Sequence, residues 1–285
     1  MASKPCDRTI QDMRQPLVIE AGRTELHYWR DLWRYSELLY FFAWRDISVR
    51  YRQTLLGILW VLVRPLLTML VFTVVFGRIA GLPSDDVPYP IMVFAAMLPW
   101  QLFAGILIDS GNSIVNNGGM ISKVYFPRMI IPLSTVLVNL LDFLIAAVLM
   151  TGLMIWYGVT PGWHIISLPL FIVLALAISI GAGLWVAALN VKYRDFRFIV
   201  PFAVQLGLYV SPVGFSGAIV PSEWQMLYAL NPMVGVIEGF RWALSPDGAP
   251  PNWGDVLLSG SIAVGLLASA GIHFRRMEKS FADDI

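Results

Sequence analysis

Charged residues are scarce in this chain of 285 residues, because Asp, Glu, Lys and Arg make up 14% of it against roughly 25% in soluble domains. Hydrophobic residues reach 57%, and the mean hydropathy is +0.67. The opening stretch, MASKPCDRTIQDMRQP, has no apolar run, so we expect no cleaved signal peptide. These features indicate one integral membrane unit and exclude a pair of soluble domains.

Cysteine and histidine are nearly absent. The single cysteine, Cys6, cannot form an internal disulfide. With it, the scattered His27, His164 and His273 make no zinc site. The sequence also has no G-x-x-x-x-G-K-[ST] phosphate-binding loop. We therefore expect no catalytic residues, metal or cofactor in this chain, and no nucleic-acid partner.

Long apolar runs are abundant. A transmembrane helix needs about 20 mostly apolar residues, and about six stretches approach that length. They cover residues 54–76, 90–108, 129–157, 165–190, 198–215 and 256–274. The sequence therefore predicts an all-α integral membrane protein with six transmembrane helices.

The distribution of Lys and Arg predicts the orientation, since these residues favour the cytoplasmic side. With the N-terminus inside, all but three of the 20 lie on that side, the exceptions being Arg64, Arg78 and Arg241. We therefore predict that both termini are cytoplasmic. The predicted division is a cytoplasmic tail (1–25), an amphipathic interface helix and linker (26–53), the six-span domain (54–274) and a second cytoplasmic tail (275–285).

An amphipathic segment, LHYWRDLWRYSELLYFFAW, precedes the first span. Its tryptophans and arginines, including Trp29, Arg30, Trp33 and Arg34, suit a helix lying in the headgroup region of the inner leaflet. The alternative is a soluble helix packed on a partner protein.

Two ionisable residues fall inside predicted spans. Arg64 lies about ten residues, or roughly 15 Å, into the first span. A cation at that depth is expected to face the protein interior, a watery path or a subunit contact. The alternative is a later helix start that lets Arg64 snorkel to the headgroups. Asp142 is the carboxylate of the third span.

A stripe of small residues occupies the fourth span at four-residue spacing. Its members are Ala175, Ser179, Gly183 and Ala187. Small residues let helix backbones approach closely, so the stripe predicts tight helix packing within a bundle or an oligomer.

Residues 224–244, between the fifth and sixth predicted spans, are too apolar for a free loop. Pro221 and Pro232 interrupt this region. Backbone that is not helical is tolerated at membrane depth only when it is buried in protein or lines a cavity. We therefore predict a short pair of re-entrant helices at the outer side.

The stretch NVKYRDFRF, residues 190–198, separates two apolar runs. Its cations suffice to fix orientation, which is one interpretation. Asp195 and the rings of Tyr193 and Phe196 are not needed for that purpose. The second interpretation is that the loop docks a partner. Because the spans hold few ionisable groups, a self-powered pump or an intramembrane enzyme is disfavoured, and a conduit driven by a separate energy source is expected.

Five motifs occur in a fixed order. They are LLGILWVLVRPLL, NNGGMISKVYFPRMIIPLS, NVKYRDFRF, VPSEWQMLYALNPMVGVIEGFRWAL and FADDI. Together they resemble the permease subunits of type-2 ABC exporters for polysaccharides, and most of all the O-antigen and capsule export permeases often called Wzm-like. The resemblance covers residues 26–285.

The resemblance implies a homodimer of six-span permeases in the bacterial inner membrane, joined to two copies of a separate ATPase that holds ATP and Mg²⁺. It implies that the assembly exports a lipid-linked polysaccharide and that this chain is no enzyme. Alternatives are an exporter of teichoic acid or of a small lipid-linked or drug-like substrate and, in another class, an enzyme that modifies a lipid carrier.

The resemblance also implies roles for particular segments. Residues 26–42 would be the interface helix, 112–123 a coupling helix, 193–196 a second ATPase contact and 224–244 the outer gate. The implied ATPase-coupling residues are Asn112, Ile114, Asn116, Ile121, Lys123, Tyr193, Arg194, Asp195 and Phe196. The implied gate residues are Trp224, Tyr228, Asn231, Pro232, Glu238 and Arg241.

Overall fold

The computed structural model describes residues 25–52, 57–84, 87–121, 123–124, 126–246 and 248–278, and within these ranges it contains helices and turns but no strand. The predicted all-helical fold is therefore confirmed for this part of the chain. Nearly all of the predicted tail 1–25 and the FADDI motif lie outside it. In chain order the helices are α1 (Glu25–Arg34), α2 (Ser36–Arg52), α3 (Gly57–Phe72), α4 (Tyr89–Asn116), α5 (Gly118–Ile121), α6 (Ile130–Tyr157), α7 (Leu168–Lys192), α8 (Phe196–Val210), α9 (Ser222–Ala229), α10 (Met233–Leu244) and α11 (Trp253–Glu278).

Within the described residues, five helical segments are long and apolar enough to cross a membrane. They are Leu59–Ile79, Tyr89–Asn116, Ile130–Tyr157, Trp163–Lys192 and Trp253–Glu278. The first continues α3 through a π-helical turn, Thr73–Ile79, and the fourth begins with a 3₁₀ turn, Trp163–Ser167. The remaining predicted span corresponds to α8, an apolar helix of 15 residues.

Local signals explain several helix ends. Proline lies in the first turn of α4 and of α7, where its missing N–H removes no helical hydrogen bond. α6 ends at Gly158, whose φ of 67° is a left-handed conformation that glycine adopts without a steric penalty.

α4 is the centre of the bundle. It packs along α6 and α7, and α7 packs on its other side against α11. α10 fills the space between α4, α7 and α11. The apolar core includes the fully buried rings of Phe94, Phe171 and Phe240. We call α4, α6, α7, α10 and α11 the scaffold.

The small residues of α7 lie inside the scaffold, as predicted. Ala175, Ser179 and Ala187 are fully buried. A Cβ atom on Gly183 would lie 3.0 Å from Cβ of Ser110 in α4, so this glycine permits the close approach of the two helices.

The bundle has two distinct ends. One end, here called the base, holds α1, α2, α5 and the last turns of α11 around a second core that contains Phe42, Ile114, Phe126 and Phe274. The other end, here called the top, holds the connection between α6 and α7, the helix α9 and the start of α11. Both ends carry candidate functional groups.

Candidate functional site

An ion-pair cluster ties α2 to the scaffold at the base. Arg50 donates from Nη1 to Oδ2 of Asp142 at 2.6 Å and from Nη2 to Oδ2 of Asp109 at 2.7 Å. The hydroxyl of Tyr51 donates to Asp142, and Nδ2 of Asn139 donates to Asp109 at 2.9 Å. These five residues, here called the Arg50 cluster, join α2, α4 and α6.

The protonation states in the Arg50 cluster follow from burial and charge. Burial disfavours the charge on Arg50, but the carboxylates of Asp109 and Asp142 outweigh it and raise the pKa of the guanidinium above its usual value. Burial, followed by the contact with Asp142, raises the pKa of the Tyr51 hydroxyl, which therefore stays protonated as a donor. One cation thus holds two carboxylates together.

Asp142 is the one member of the Arg50 cluster that was predicted from the sequence as a candidate site residue, and the other four were not. Asp109 lies one residue beyond the predicted second span, and α4 extends past it to Asn116. Arg50 falls in the predicted interface helix and linker, 26–53, and the structure places it inside α2. The available signal was Asp142 near the middle of a span, because a carboxylate at that depth calls for a partner such as a cation.

The predicted interface helix consists of two helices. α1 ends at Arg34, and α2 runs from Ser36 to Arg52, ten residues beyond the predicted end at residue 42. Arg30, Trp33 and Arg34 are exposed, as a surface-bound helix requires. The side chain of Trp29 lies outside the described part of the structure.

The predicted coupling segment, 112–123, comprises the end of α4, a turn and the short helix α5. α4 ends at Asn116, and α5 covers only Gly118–Ile121. Asn116 and Lys123 are exposed, whereas Ile114 and Ile121 are buried in the base core. The exposed pair can meet a partner directly. The buried pair shapes the segment from within.

Asn112 lies apart from this exposed pair. Its Nδ2 donates to the carbonyl of Ile108 at 2.9 Å, and its Oδ1 accepts from Asn190 of α7 at 3.2 Å. Asn112, the first residue of the predicted coupling segment, therefore links α4 to α7.

The loop between α7 and α8 is exposed at the base. Tyr193 is half exposed, Arg194 and Asp195 are exposed, and Phe196 is partly buried. The Lys192 ammonium lies 5.3 Å from the centroid of the Tyr193 ring. Within the described ranges, neither Arg194 nor Asp195 forms an ion pair. Their charges are thus presented to the surroundings.

A polar cavity of about 710 Å³ lies between these base elements. It is lined by Arg45, Asp46, Val49, Arg50, Asp109, Asn112, Ser113, Asn116, Asn117, Ile131, Thr135, Val138 and Arg197. Nη2 of Arg45 donates to Oδ1 of Asn117 at 3.0 Å and pairs with Asp46 at 2.8 Å. The cavity therefore brings α2, the coupling segment and the first turn of α8 to one place.

A further contact at the base joins the two ends of the described chain. The backbone N–H of Arg128 donates to Oε1 of Glu278 at 2.8 Å, and Nη1 of Arg128 donates to the Glu278 carbonyl at 2.5 Å. The guanidinium of Arg275 lies 4.8 Å from the ring centroid of Tyr28 in α1. Burial, with Glu278 nearby, raises the pKa of the Tyr28 hydroxyl. The last helix thus contacts both α1 and the loop before α6.

At the top, the predicted pair of short helices is present as α9 and α10. Nδ2 of Asn231 donates to Oγ of Ser211 at 2.9 Å, and its Oδ1 accepts from the N–H of Met233 at 3.1 Å. Asn231 and Pro232 thus form a fixed corner held against the end of α8. Trp224 is exposed on α9.

Arg241 and Glu238 lie on α10 beside the end of α8. Arg241 donates from Nη1 to the carbonyl of Phe215 at 2.8 Å and from Nη2 to that of Val213 at 3.1 Å. The hydroxyl of Tyr228 is buried near Glu238 and Arg241. α10 therefore fixes the irregular segment after α8.

Arg64 lies on an exposed face of α3, and its guanidinium is 6.0 Å from the ring centroid of Trp60. The structure excludes the interior of this chain as its environment. A watery path, a subunit contact or the headgroups remain.

Within the described residues no group of three or more His, Cys, Asp or Glu side chains is placed to hold a metal ion. The expectation that this chain holds no cofactor stays a prediction.

Comparison with known proteins gives a family match over most of the chain. A family model described as "ABC-2 type transporter" matches residues 37–245. The match begins in α2 and ends just after α10, so it includes the Arg50 cluster, the coupling segment and both top helices.

Three relatives carry transport names. The chain is 29% identical over 259 residues to the O-antigen export system permease protein RfbA of Myxococcus xanthus, covering 90% of this chain and 98% of that protein. It is 28% identical over 206 residues to the protein of the same name from Klebsiella pneumoniae, covering 72% and 79%. It is 24% identical over 210 residues to the polysialic acid transport protein KpsM of Escherichia coli, covering 71% and 79%.

Proposed function

Because the chain belongs to the ABC-2 type transporter family, we propose that it is the membrane subunit of an exporter that moves a lipid-linked polysaccharide across the bacterial inner membrane. The observation that carries this proposal is the similarity to an O-antigen export permease along 90% of the chain. The relatives from Klebsiella pneumoniae and Escherichia coli, also named for O-antigen and polysialic acid transport, support the same substrate class.

The proposed topology has six spans, with α8 as the fifth and the base in the cytoplasm. α8 has 15 residues and a length of roughly 22 Å, less than the roughly 30 Å of a bilayer core. The irregular segment after it, which Arg241 holds by two carbonyls, supplies the rest of the crossing. α9 and α10 would then be re-entrant helices that shield the outer exit.

The proposed assembly is a homodimer with two ATPase subunits, which hold ATP and Mg²⁺. α3 and α8 have few buried residues, and each presents large apolar side chains, such as Leu67 and Phe202, on its outer face. We assign these faces to the contact between two copies and to the channel between them. Arg64, on the same face of the chain, would help the anionic phosphate linkage to pass.

The proposed coupling surface is at the base. Asn116 and Lys123 near α5, and Arg194 and Asp195 before α8, are exposed at the end that also carries α2. A contact on α5 reaches the scaffold through α4, and a contact on α2 reaches it through the Arg50 cluster. Movement of the ATPase would therefore be transmitted to α4 and α6.

A deletion and complementation experiment tests the function. Deletion of the gene should abolish polysaccharide at the cell surface and accumulate the lipid-linked polymer at the inner membrane, and the wild-type chain should restore export. A catalytically dead ATPase partner is the control, because it should reproduce the deletion. Normal surface polysaccharide with loss of another exported lipid-linked compound, or lipid turnover by the purified chain alone, would instead support one of the alternative functions.

A further inference from the structure

A cavity of about 810 Å³ lies at the top, beside the pair α9 and α10. Its walls come from α4, α9, α10, the segment 248–252 and the first turns of α11. Ser84, Gln225 and Asn252 are exposed members of the lining, so the cavity opens to the outside of the bundle. Its volume falls within the range of about 300–1,000 Å³ that is typical of small-ligand sites. We call it the top cavity.

α10 turns a polar face toward the top cavity. Glu238, Arg241, Trp242 and Ser245 line it and recur at three- and four-residue spacing, which places them on one side of the helix. The opposite side, with Phe240, is buried in the scaffold core. These polar groups favour water or a polar ligand in the cavity over lipid tails.

The wall is held in place by contacts outside the cavity. The ring of Trp242 lies 4.7 Å from the ring of His164 and 5.7 Å from that of Trp253, measured between centroids. Arg241 is anchored by its two bonds to backbone carbonyls of the segment after α8. A wall fixed in this way loses little conformational freedom when a ligand binds.

The chemistry of the lining selects a class of ligand. Glu238 and Asp255 bring negative charge and Arg241 brings positive charge, so neither a simple anion nor a simple cation is favoured. The amides of Gln225 and Asn252 both donate and accept hydrogen bonds. An aliphatic chain offers none of these groups a hydrogen bond. A sugar chain, whose hydroxyls donate and accept and whose C–H faces pack on aromatic rings, satisfies both kinds of group.

We propose that the top cavity binds a short stretch of the polysaccharide on the outer side of the permease. The inference rests on the proposed function and adds a site to it. Because α9 and α10 form part of the wall, sugar bound there contacts the helices assigned to the outer gate. The cavity therefore holds the emerging polymer next to the gate.

The test uses the purified permease with its ATPase in micelles and the delipidated polysaccharide that mild acid releases from the strain carrying the gene. Saturation-transfer NMR reports direct contact between protein and sugar protons. Ala249→Trp places a ring among the exposed lining residues, and the matched control is Ala80→Trp, an exposed top residue outside the cavity. Gln225→Ala removes one hydrogen-bonding group from the lining.

The wild-type complex and Ala80→Trp should give equal signals, and Ala249→Trp should lose the signal. Gln225→Ala should weaken the apparent affinity about fivefold, as expected for one lost hydrogen bond. Absence of signal from the wild type, or equal signals from both tryptophan variants, would overturn the top cavity as the site. The proposed function would still stand in that case if the wild-type chain restored surface polysaccharide in the deletion strain. Failure of the wild-type chain to restore surface polysaccharide overturns both.

Discussion

α4 and the span that begins with α3 are almost equally apolar, yet they occupy opposite environments. In α4 67% of the most apolar stretch is buried within the chain, whereas in the segment Leu59–Ile79 the share is 11%. α4 contacts α6, α7 and α10 along its length, and α3 touches the scaffold along one edge. α4 is thus the structural centre of the bundle, whereas α3 presents most of its surface to lipid or to another subunit.

The difference teaches that hydropathy detects a span but not what surrounds it. In a bilayer, lipid tails are as apolar as leucine, so burial inside the protein depends on shape. The small residues of α7 allow α4 and α11 to approach closely, and a Cβ atom on Gly181 would meet the backbone of Leu266 at 3.0 Å. Small residues on facing helices, not apolar ones, distinguish the scaffold from α3 and α8.

The largest effect should come from filling this helix contact. Gly181→Leu forces α7 and α11 apart, because the new Cβ would lie 2.8 Å from Cβ of Leu266 and 3.0 Å from backbone atoms that cannot move alone. We expect a loss of about 3 kcal/mol or more in the free energy of unfolding. The free energy of unfolding is measured by titrating the protein, held in mild detergent micelles, with a denaturing detergent.

Gly265→Leu is the matched control, since a Cβ atom there meets nothing within 4 Å. It should be neutral or slightly stabilising, because leucine favours helix over glycine. Equal losses from both variants would mean that close helix packing does not separate the scaffold from the outer surfaces.

The second effect concerns the attachment of α2 to the scaffold. Arg50→Ala removes the cation that Asp109 and Asp142 share. Because the cluster is only partly buried, we expect a loss of about 2 kcal/mol, less than for a fully buried pair. The double variant Arg50→Ala, Asp109→Asn should recover part of the lost free energy of unfolding, because it also removes one of the two carboxylates that Arg50 neutralised.

Arg52→Ala, two residues away and exposed, serves as the control and should change stability by about 0.5 kcal/mol or less. The same denaturation experiment measures all three variants. If Arg50→Ala were no worse than Arg52→Ala, the cluster would not fasten α2 to the scaffold.

Much of the fold was predictable from the sequence because spans depend on local composition. Apolar runs predicted five segments that the structure shows as long helices, and Pro221 and Pro232 correctly delimited the short helices α9 and α10. The small-residue stripe of α7 predicted its burial, because the four-residue spacing places those residues on one side of a helix.

The candidate site was less predictable because it depends on contacts between distant residues. Arg50 meets Asp109 and Asp142 across separations of 59 and 92 residues, and no local pattern encodes that meeting. Ile114 was predicted for coupling because the family resemblance implies a coupling helix at residues 112–123, whereas its burial follows from the base core. The resemblance therefore identified the segment, and only the packing shows which of its side chains are exposed.

The third effect sharpens the assignment of α3 to a functional surface. Arg64→Gln keeps the length of the side chain but removes its charge, and Arg64 is exposed with no core contact to lose. Folding should be unchanged, while export should fall about tenfold if the guanidinium bonds the phosphate linkage, since a charge-assisted bond contributes roughly 1.5–3 kcal/mol.

Export is measured as the amount of polysaccharide at the cell surface divided by the amount of permease in the membrane. Arg64→Lys should retain much of it, and Arg78→Gln, an exposed change at the other end of the same helical segment, should have little effect. Normal export by an Arg64→Gln variant that assembles normally would remove Arg64 from the transport path.

The smallest effect should come from the loop that joins scaffold helix α7 to the outer helix α8. Arg194 and Asp195 are exposed, so alanine at either position should leave the free energy of unfolding unchanged. Each side chain at the rim of an ATPase contact contributes modestly, so we expect the affinity for the ATPase, and the hydrolysis coupled to export, to fall about threefold. Thr160→Ala, in an exposed loop at the top, is the control. If both loop variants matched it in ATPase binding, hydrolysis and export, the charges of this loop would serve orientation alone, and α8 would receive its movement from α7 and not from the ATPase.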